Sequence, residues 1–219
     1  IMNDKQRKAY EEFYQQFTYD FEPPAEVYVD DDWAAVPLWT DPNADPDTLP
    51  NAMGLDGFTS IQEAIDVVQI DGTVHVAAGT YTDNNITITK KLELLGAGAA
   101  STSITPGADT AGSLIEVLSP GGDVTISGFT LNIPFKTEAN QGMCILVRDT
   151  APVDDNTVFI QNNIFNGSND GVNSWDFGIY GSNNNAHLGI TGNTFFKIGY
   201  NTCLMELQRG TSEVTGNII

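Results

Sequence analysis

Basic residues are scarce in this 219-residue chain, which has 9 lysines and arginines against 29 aspartates and glutamates. The resulting formal net charge of −20 gives a surface that repels phosphate backbones and anionic lipid headgroups. This balance argues against nucleic-acid binding. It fits a secreted protein, a salty habitat, or sites for hard cations such as calcium.

Cysteines and long apolar runs are also scarce. Cys144 and Cys203 are too few for a disulfide framework, and their spacing matches no metal site. No apolar run approaches the roughly 20 residues that cross a bilayer, so we expect no membrane insertion. The chain opens without a signal peptide. We therefore expect a mature or excised piece of an extracellular or cell-surface protein that continues beyond Ile219.

The chain does have a recurring six-residue motif, the phrase apolar, polar, Gly or Asn, Asn, variable, apolar, which returns along its second half. The phrase occupies Ile160–Phe165, Ile190–Phe195 and Val214–Ile219, and a fainter copy at Ile126–Leu131 has Phe129 in place of the Asn. The starts lie 34, 30 and 24 residues apart. Repeats of this length, each unable to bury its own apolar face, predict a stacked solenoid.

Two helices are predicted before the repeats. Residues 4–17 have four aromatic side chains at helical spacing, and Pro23-Pro24 ends the segment. We assign residues 1–26 to this amphipathic helix and its linker; it either packs on the rest of the chain or docks a neighbouring subunit. A second, short helix begins near Ser60, with Glu63 in the capping-box position. The aromatic positions of the first helix are Tyr10, Phe13, Tyr14 and Phe17.

The run GFTSIQEAIDVVQIDGTVHVAAGTYTDNNITITKKLELLGAGAASTSI, residues 57–104, resembles the opening of right-handed parallel β-helix proteins of the pectin-lyase-like superfamily. The phrases ITGNTF and VTGNII are similar to repeats of its periplasmic copper-processing and carbohydrate-binding branch. VYVDDDW followed by GLDGFTSIQEAID is similar to openings of large secreted bacterial surface proteins. The resemblance implies an all-β, right-handed, single-stranded parallel β-helix over residues 27–219, with the short helix capping its N-terminal end. It leaves the activity open, since such repeats serve enzymes and non-enzymes alike.

The spacing of the repeats predicts which residues stack on successive coils of such a solenoid, about 4.8 Å apart. Ile179 lies 11 residues before Ile190, and Cys203 lies 11 residues before Val214. Cys203 should therefore stack on Ile179 in the core.

The register of the preceding coil is predicted by aligning Met143 with Ile179. This alignment turns Cys144 outward and places Arg148 on the same face as Glu206. The two cysteines are then two coils apart, about 9.6 Å, which is too far for a disulfide.

The repeated asparagines, Asn163, Asn193 and Asn217, are predicted to turn inward at a bend. Each side-chain amide would bond to the backbone and to the next Asn, which satisfies polar groups that the bend buries. Phe165 and Phe195 are predicted to stack in the core.

The outer face near Arg148 is the best candidate for chemistry. Polysaccharide lyases need calcium-binding carboxylates and a basic side chain, and glycosidases need paired carboxylates. An ordinary acidic edge explains the same residues. The catalytic candidates are Arg148, Asp149 and Glu206, and the candidate binding residues are Tyr180, Asp176, Arg148, Asp154 and Asp155.

An acidic loop offers a candidate calcium site with an oxygen-bearing side chain at every second position. The sixth position of the expected loop is Pro46 rather than Gly, and the twelfth is Ala52 rather than Glu. A proline-stiffened turn is the alternative. The candidate ligands are Asp41, Asn43, Asp45 and Asp47.

Together these patterns favour an extracellular module that binds a polysaccharide or builds a surface or filament assembly, without catalysis. Homo-oligomer contacts would use the N-terminal helix and the coil ends, because an open coil end is an unpaired strand edge. The alternative is a polysaccharide lyase or glycoside hydrolase that acts on an acidic glycan, with calcium bridging the like charges.

Overall fold

The computed structural model describes residues 22–44, 49–83, 85–107, 112–133, 142–148, 156–167, 176–198, 201–207 and 211–219. The amphipathic helix predicted at residues 4–17 lies outside these residues. Within the described part of the chain, no helix has the length and apolar character that crossing a membrane requires.

Short strands dominate the described residues. They are β1 (Glu26–Val29), β2 (Gly57–Phe58), β3 (Gly72–Val76), β4 (Gly79–Tyr81), β5 (Ile86–Ile88), β6 (Leu92–Gly96), β7 (Thr102–Ile104), β8 (Gly112–Leu118), β9 (Val124–Ser127), β10 (Thr130–Asn132), β11 (Gly142–Arg148), β12 (Thr157–Gln161), β13 (Ile164–Asn166), β14 (Asp176–Asn184), β15 (His187–Thr191), β16 (Thr194–Phe196), β17 (Asn201–Leu207) and β18 (Ser212–Thr215). A 3-10 helix spans Asp31–Ala35, and an α-helix, α1, spans Ile61–Val67.

The strands form three sheets in which the strand pairs are parallel. Sheet A has the order β18-β15-β12-β9-β6-β3-β1-β2, sheet B β16-β13-β10-β7-β4, and sheet C β17-β14-β11-β8-β5. From β3 onward the chain enters sheets A, B and C in rotation, and we call each such set of three strands a coil. The fold is thus all-β, with mostly parallel strands in stacked sheets, and is compatible with a parallel β-helix.

The core lies between the sheets and is built from columns of equivalent residues. In sheet B the inward column runs through five strands, each contributing one large side chain. Within it, the rings of Phe165 and Phe195 stack with centroids 4.6 Å apart and planes 8° apart, which confirms the predicted core stack. The column consists of Tyr81, Ile104, Leu131, Phe165 and Phe195.

The bend from sheet A to sheet B explains why the six-residue repeat has Gly or Asn immediately before its recurring Asn. Gly128, Asn162, Gly192 and Gly216 all have positive φ, between 55° and 85°. Only glycine and, less readily, asparagine adopt this left-handed conformation at low cost. The phrase in the sequence is therefore the signature of this bend.

The residue after the bend forms the predicted asparagine ladder. Asn193 Oδ1 accepts the backbone N–H of Asn163 at 2.9 Å, and Asn217 Oδ1 accepts that of Asn193 at 2.8 Å. Each Nδ2 donates to the carbonyl oxygen of a sheet A strand one coil back, such as Asn193 to Ile160 at 2.8 Å. At the bend before β10, Phe129 has no amide to contribute, and its N–H donates to Asn163 Oδ1 at 3.0 Å. The prediction that amides link backbone and neighbouring Asn is confirmed.

The register of sheet C confirms one prediction and corrects another. Cys203 pairs with Ile179 as predicted. However, Ile145 rather than Met143 pairs with Ile179, so the predicted alignment was wrong by two residues. Cys144 is fully buried as a reduced cysteine, and its prediction as an outward residue was wrong.

The alignment failed because inward and outward residues do not alternate strictly in β11. Cys144 and its neighbour Ile145 both belong to the main core, as do Leu114 and Ile115 at the equivalent positions of β8. Two successive inward residues break the period of two on which the register was based.

Helix α1 packs against the first strands and is fixed at both of its ends. Ser60 Oγ accepts the Glu63 backbone N–H at 3.5 Å, as its N-cap position requires. Asp83 adds a second cap, accepting the Ser60 hydroxyl at 2.8 Å and the Ile61 backbone N–H at 3.1 Å. At the other end Lys90 Nζ donates to the carbonyl oxygen of Asp66 at 3.1 Å, and burial lowers the pKa of this lysine.

Side chains also occupy the first edges of sheets B and C. In β5, the Thr87 backbone N–H donates to Gln62 Oε1 at 2.7 Å, and its carbonyl accepts from Gln62 Nε2 at 3.3 Å. In β4, the Thr80 backbone N–H donates to Asp31 Oδ2 at 3.0 Å. At these positions side chains supply the hydrogen bonds that a preceding strand would make.

Candidate functional site

The outer face of sheet C contains the sequence-predicted residue Arg148. Its guanidinium Nη2 lies 3.0 Å from Glu116 Oε1, with the two side chains 46% and 21% exposed. Glu116 lies on the neighbouring strand β8, and sequence reasoning did not identify it. The arginine thus forms a half-exposed ion pair, which is an ordinary stabilising contact of modest strength.

Tyr180, a candidate binding residue, lies on the same face of sheet C. Its ring stacks on Phe177, with centroids 5.3 Å apart and planes 21° apart. Both rings belong to a small apolar cluster with Met143 and Leu146, and the side chains of Met143, Leu146 and Phe177 are buried. Since the ring of Tyr180 packs into this cluster, packing accounts for it without a ligand.

The described part of the chain does not show the remaining candidate side chains of this face in contact with one another. Asp149, Asp154 and Asp155 lie outside the described residues. Asp176 is the first residue of β14 and pairs with Gly142. Glu206 lies in β17, the neighbouring strand of sheet C. For both residues the structure describes the backbone alone. The predicted catalytic and acidic set therefore stays a prediction.

Only part of the candidate calcium loop is described. Asp41 Oδ1 accepts the backbone N–H groups of Asn43 and Ala44, each at 3.0 Å, and Asn43 Nδ2 donates to the Leu49 carbonyl at 3.2 Å. These bonds hold a turn of the kind that aspartate commonly organises. Asp45 and Asp47 lie outside the described residues. Among the residues described, no three His, Cys, Asp or Glu side chains group together as a metal site would require.

Glu26, Tyr28 and His75 form a cluster on the outer face of sheet A. The Tyr28 hydroxyl donates to Glu26 Oε2 at 2.7 Å, and His75 Nε2 lies 3.5 Å from the same oxygen. The rings of Tyr28 and His75 stack with centroids 4.9 Å apart. Burial, followed by the hydrogen bond to Glu26, raises the pKa of Tyr28 to about 12. A phenol of this pKa stays protonated near neutrality and acts as a donor rather than a base.

Among the strand pairs that the structure describes, no two carboxylates lie opposite each other as a pair for acid–base chemistry. Glu93 pairs with Thr73 and Thr125, and Glu116 pairs with Thr87 and Leu146. In the printed registers of these described strands, no Asp or Glu lies opposite another. Glycosidase chemistry requires two carboxyl groups on opposite sides of one bond.

A different surface, the outer face of sheet B, has a regular composition that the sequence analysis missed. Two columns of outward side chains flank the inward aromatic column. We call these nine residues the B face. They are Thr80, Ser103, Thr130, Ile164 and Thr194 in the first column and Thr105, Asn132, Asn166 and Phe196 in the second.

Hydrogen bonds run along the B face parallel to the stacking direction. Asn166 Nδ2 donates to Asn132 Oδ1 at 2.9 Å, and Asn132 Nδ2 donates to Thr105 Oγ1 at 2.8 Å. In the other column Ser103 Oγ donates to Thr80 Oγ1 at 3.2 Å. These bonds orient the side chains, while each hydroxyl and amide keeps further donor or acceptor capacity.

None of the nine B-face residues is charged, although the chain has a net charge of −20. Charged side chains are found at the two ends of the face. Asp31 bonds to the backbone of Thr80 at one end, and Lys197 Nζ lies 4.9 Å from the ring centroid of Phe196 at the other. The Phe196 side chain is 53% exposed.

The sequence contained a signal for the B face. In each repeat the residues on either side of the inward Phe or Leu must point outward, because side chains alternate along a strand. Reading those positions after each Asn of the ladder gives Ile164 and Asn166, then Thr194 and Phe196. The earlier coils lack the Asn, so only the strand pairing shows that the columns continue.

Comparison with family models, with curated proteins and with solved structures found no match to this chain. The class of the protein is therefore given by its topology, an all-β chain of mostly parallel strands in stacked sheets.

Proposed function

We propose that the chain is an extracellular, non-catalytic parallel β-helix module, right-handed and of the pectin-lyase-like kind, that binds a neutral polysaccharide along the B face. The observation that carries this proposal is the absence of charge from the nine residues of the B face in a chain of net charge −20. Acidic residues outnumber basic residues by 29 to 9 in the chain, and the B face contains neither kind.

The chemistry of the B face suits sugar hydroxyl groups. Threonine and serine hydroxyls and asparagine amides both donate and accept hydrogen bonds, as sugar hydroxyls do. Phe196 adds an exposed aromatic ring on which the C–H groups of a pyranose can pack.

The geometry of the face suits a polymer that lies along the stack. Neighbouring strands are about 4.8 Å apart, so the first column presents a side chain at this interval over five strands. A pyranose unit in an extended glycan has a comparable length. Successive sugars can therefore meet equivalent side chains, which is the arrangement that a repeating ligand requires.

An acidic glycan is disfavoured as the ligand. Its carboxylates would approach a chain of net charge −20, and repulsion of this kind slows and weakens association. The lyase or hydrolase alternative also needs a metal or a carboxylate pair, and neither occurs in the described strand registers or side-chain groups. A calcium ion in the Asp41 loop would serve that alternative by bridging the like charges.

The test measures binding of the full chain to neutral and acidic polymers. Cellulose, chitin and hydroxyethyl cellulose serve as neutral probes and polygalacturonate as the acidic probe, each with calcium and with EDTA. We expect binding to at least one neutral polymer that persists in EDTA. Binding to polygalacturonate alone, dependent on calcium and followed by release of unsaturated or reducing ends, would instead establish the alternative.

Matched variants locate the binding surface. Phe196→Ala should weaken neutral-polymer binding about tenfold, because it removes an exposed stacking ring. Phe159→Ala, on the outer face of sheet A, should change it by less than about twofold. Likewise Thr194→Asp should weaken binding, and Thr191→Asp, at the end of β15 in sheet A, should not. Equal losses in both members of a pair would place the ligand elsewhere.

A further inference from the structure

A cavity of about 540 Å³ opens at the N-terminal end of the sheets, between α1, the 3-10 helix and the loop before β2. Most of its lining is apolar, and two carboxylates from α1 lie on one side. The principal lining residues are Trp33, Leu38, Met53, Phe58, Glu63 and Asp66. It shares no residue with the B face.

The apolar lining is incompletely covered by the described residues. Leu38 is 69% exposed, and Trp39, its neighbour in sequence, is 73% exposed. By contrast Met53 and Phe58, on the floor of the cavity, are buried. Adjacent exposed apolar side chains of this size indicate a surface that another apolar group contacts.

The path of the chain brings its own N-terminal segment to this cavity. The Pro24 carbonyl accepts the Gln69 backbone N–H at 2.9 Å, and the Ala25 carbonyl accepts that of Thr73 at 2.8 Å. Residues 22–25 therefore run beside the C-terminal end of α1. Asp66 and Val67, in the last turn of that helix, line the cavity, so the residues before Glu22 start next to its wall.

The composition of the segment matches the cavity in apolar character. Its four aromatic residues recur at helical spacing and would form one face. The segment carries no net charge, because three acidic residues, Asp4, Glu11 and Glu12, balance three basic residues, Lys5, Arg7 and Lys8. The carboxylates of Glu63 and Asp66 beside the cavity therefore do not repel the segment as a whole.

We propose that residues 4–17 pack as a helix in this cavity of the same chain, with their aromatic face against the apolar lining around Trp33, Leu38 and Met53. The short connection to Glu22 keeps the segment at high effective concentration near the cavity, which favours the same chain over a second copy. This inference is independent of the polysaccharide proposal, because the B face contributes nothing to it.

The test uses the full chain with a photoreactive benzoylphenylalanine at position 13 or 17, where it replaces a phenylalanine of similar shape. After irradiation, peptide mapping should find the cross-link on the cavity lining, with Met53 favoured because benzophenones react readily with methionine. Benzoylphenylalanine at Gln15, on the opposite side of the predicted helix, should give about tenfold less of this product.

A mixture of isotope-labelled and unlabelled chains shows whether the segment that fills the cavity belongs to the same chain or to a second copy. Cross-links within one chain support the proposal, and mixed-isotope cross-links would show that a second copy fills the cavity instead. Cross-links from positions 13 and 17 to other surfaces, or equal yields from position 15, would overturn it as well. Circular dichroism spectra equal to the wild type confirm that the variants fold.

Discussion

Replacing Asn193 by alanine tests whether the asparagine ladder holds the bend between sheets A and B. The Asn193 side chain is fully buried and makes two main-chain bonds. Its Oδ1 accepts the Asn163 backbone N–H at 2.9 Å, and its Nδ2 donates to the Ile160 carbonyl at 2.8 Å. Truncation at Cβ leaves this buried donor and this buried acceptor without partners.

The expected cost follows from these two groups. A buried polar group left unsatisfied costs about 1–3 kcal/mol, so Asn193→Ala should lower the free energy of unfolding by about 2–6 kcal/mol. The bonds between Asn193 and the amides of Asn163 and Asn217, at 3.3 and 3.1 Å, are lost as well. A loss of this size is large against the total stability of about 5–15 kcal/mol of a typical domain.

Asn217→Ala is the matched control, because Asn217 is the last ladder residue of the described chain and is only partly buried. Water can replace its amide at the backbone of Asn193, so its removal should cost about 1 kcal/mol. Urea unfolding followed by far-ultraviolet circular dichroism measures both variants. If Asn193→Ala loses less than about 1 kcal/mol, or if Asn217→Ala loses as much, the ladder does not act as described.

Two further predictions concern a buried hydroxyl and a bend glycine. Tyr81 is buried, its hydroxyl lies within hydrogen-bond distance of the Val29 and Ala77 carbonyls, and burial raises its pKa above the ordinary value of 10.0. The folded state favours the protonated phenol, so the stabilisation from Tyr81 is present below about pH 10 and is lost as the pH rises further. Urea unfolding midpoints should therefore fall less steeply between about pH 8 and pH 11 in Tyr81→Phe than in the wild type. An equal alkaline slope in both proteins would contradict this cause. Gly192→Ala should cost about 1–2 kcal/mol in the same unfolding assay, since its φ is +66° and a Cβ would lie 2.7 Å from a neighbouring side-chain oxygen. Gly121→Ala, with the same φ and nothing within 4 Å, should cost less, and an equal loss would remove the steric part of the explanation.

The sequence predicted the parts of the fold that depend on local chemistry. The Gly or Asn before each ladder residue is required by positive φ, and the ladder Asn is required by buried backbone groups. Both requirements recur in the bends at Asn162, Gly192 and Gly216, so they leave a repeated pattern. The stack of Phe165 on Phe195 follows from the same period.

The register of sheet C could not be predicted from the sequence for a physical reason. Side-chain alternation fixes a register only where it is unbroken, and in β11 the adjacent residues Cys144 and Ile145 both point into the core. The sequence shows five apolar residues in a row there, from Met143 to Val147, and such a run fits several alignments equally well. Contact with the neighbouring strands selects one of them.

The B face could not be predicted from charged residues, because it contains none. Arg148 and the acids near it attracted chemical hypotheses, but Arg148 pairs with Glu116 in an ordinary ion pair. The B face has no charge and no rare residue type, so no single position in it draws notice. Its regularity becomes visible only when Thr130, Asn132 and their partners are aligned by strand pairing.

The N-terminal end of the sheets bears on the assembly hypothesis. Head-to-tail stacking into a filament requires free strand edges at both ends. At the N-terminal end Gln62 already bonds to the backbone of β5 and Asp31 to that of β4. Stacking of another copy on these edges of sheets B and C is therefore disfavoured, which supports a module that binds its partner along the side of the stack.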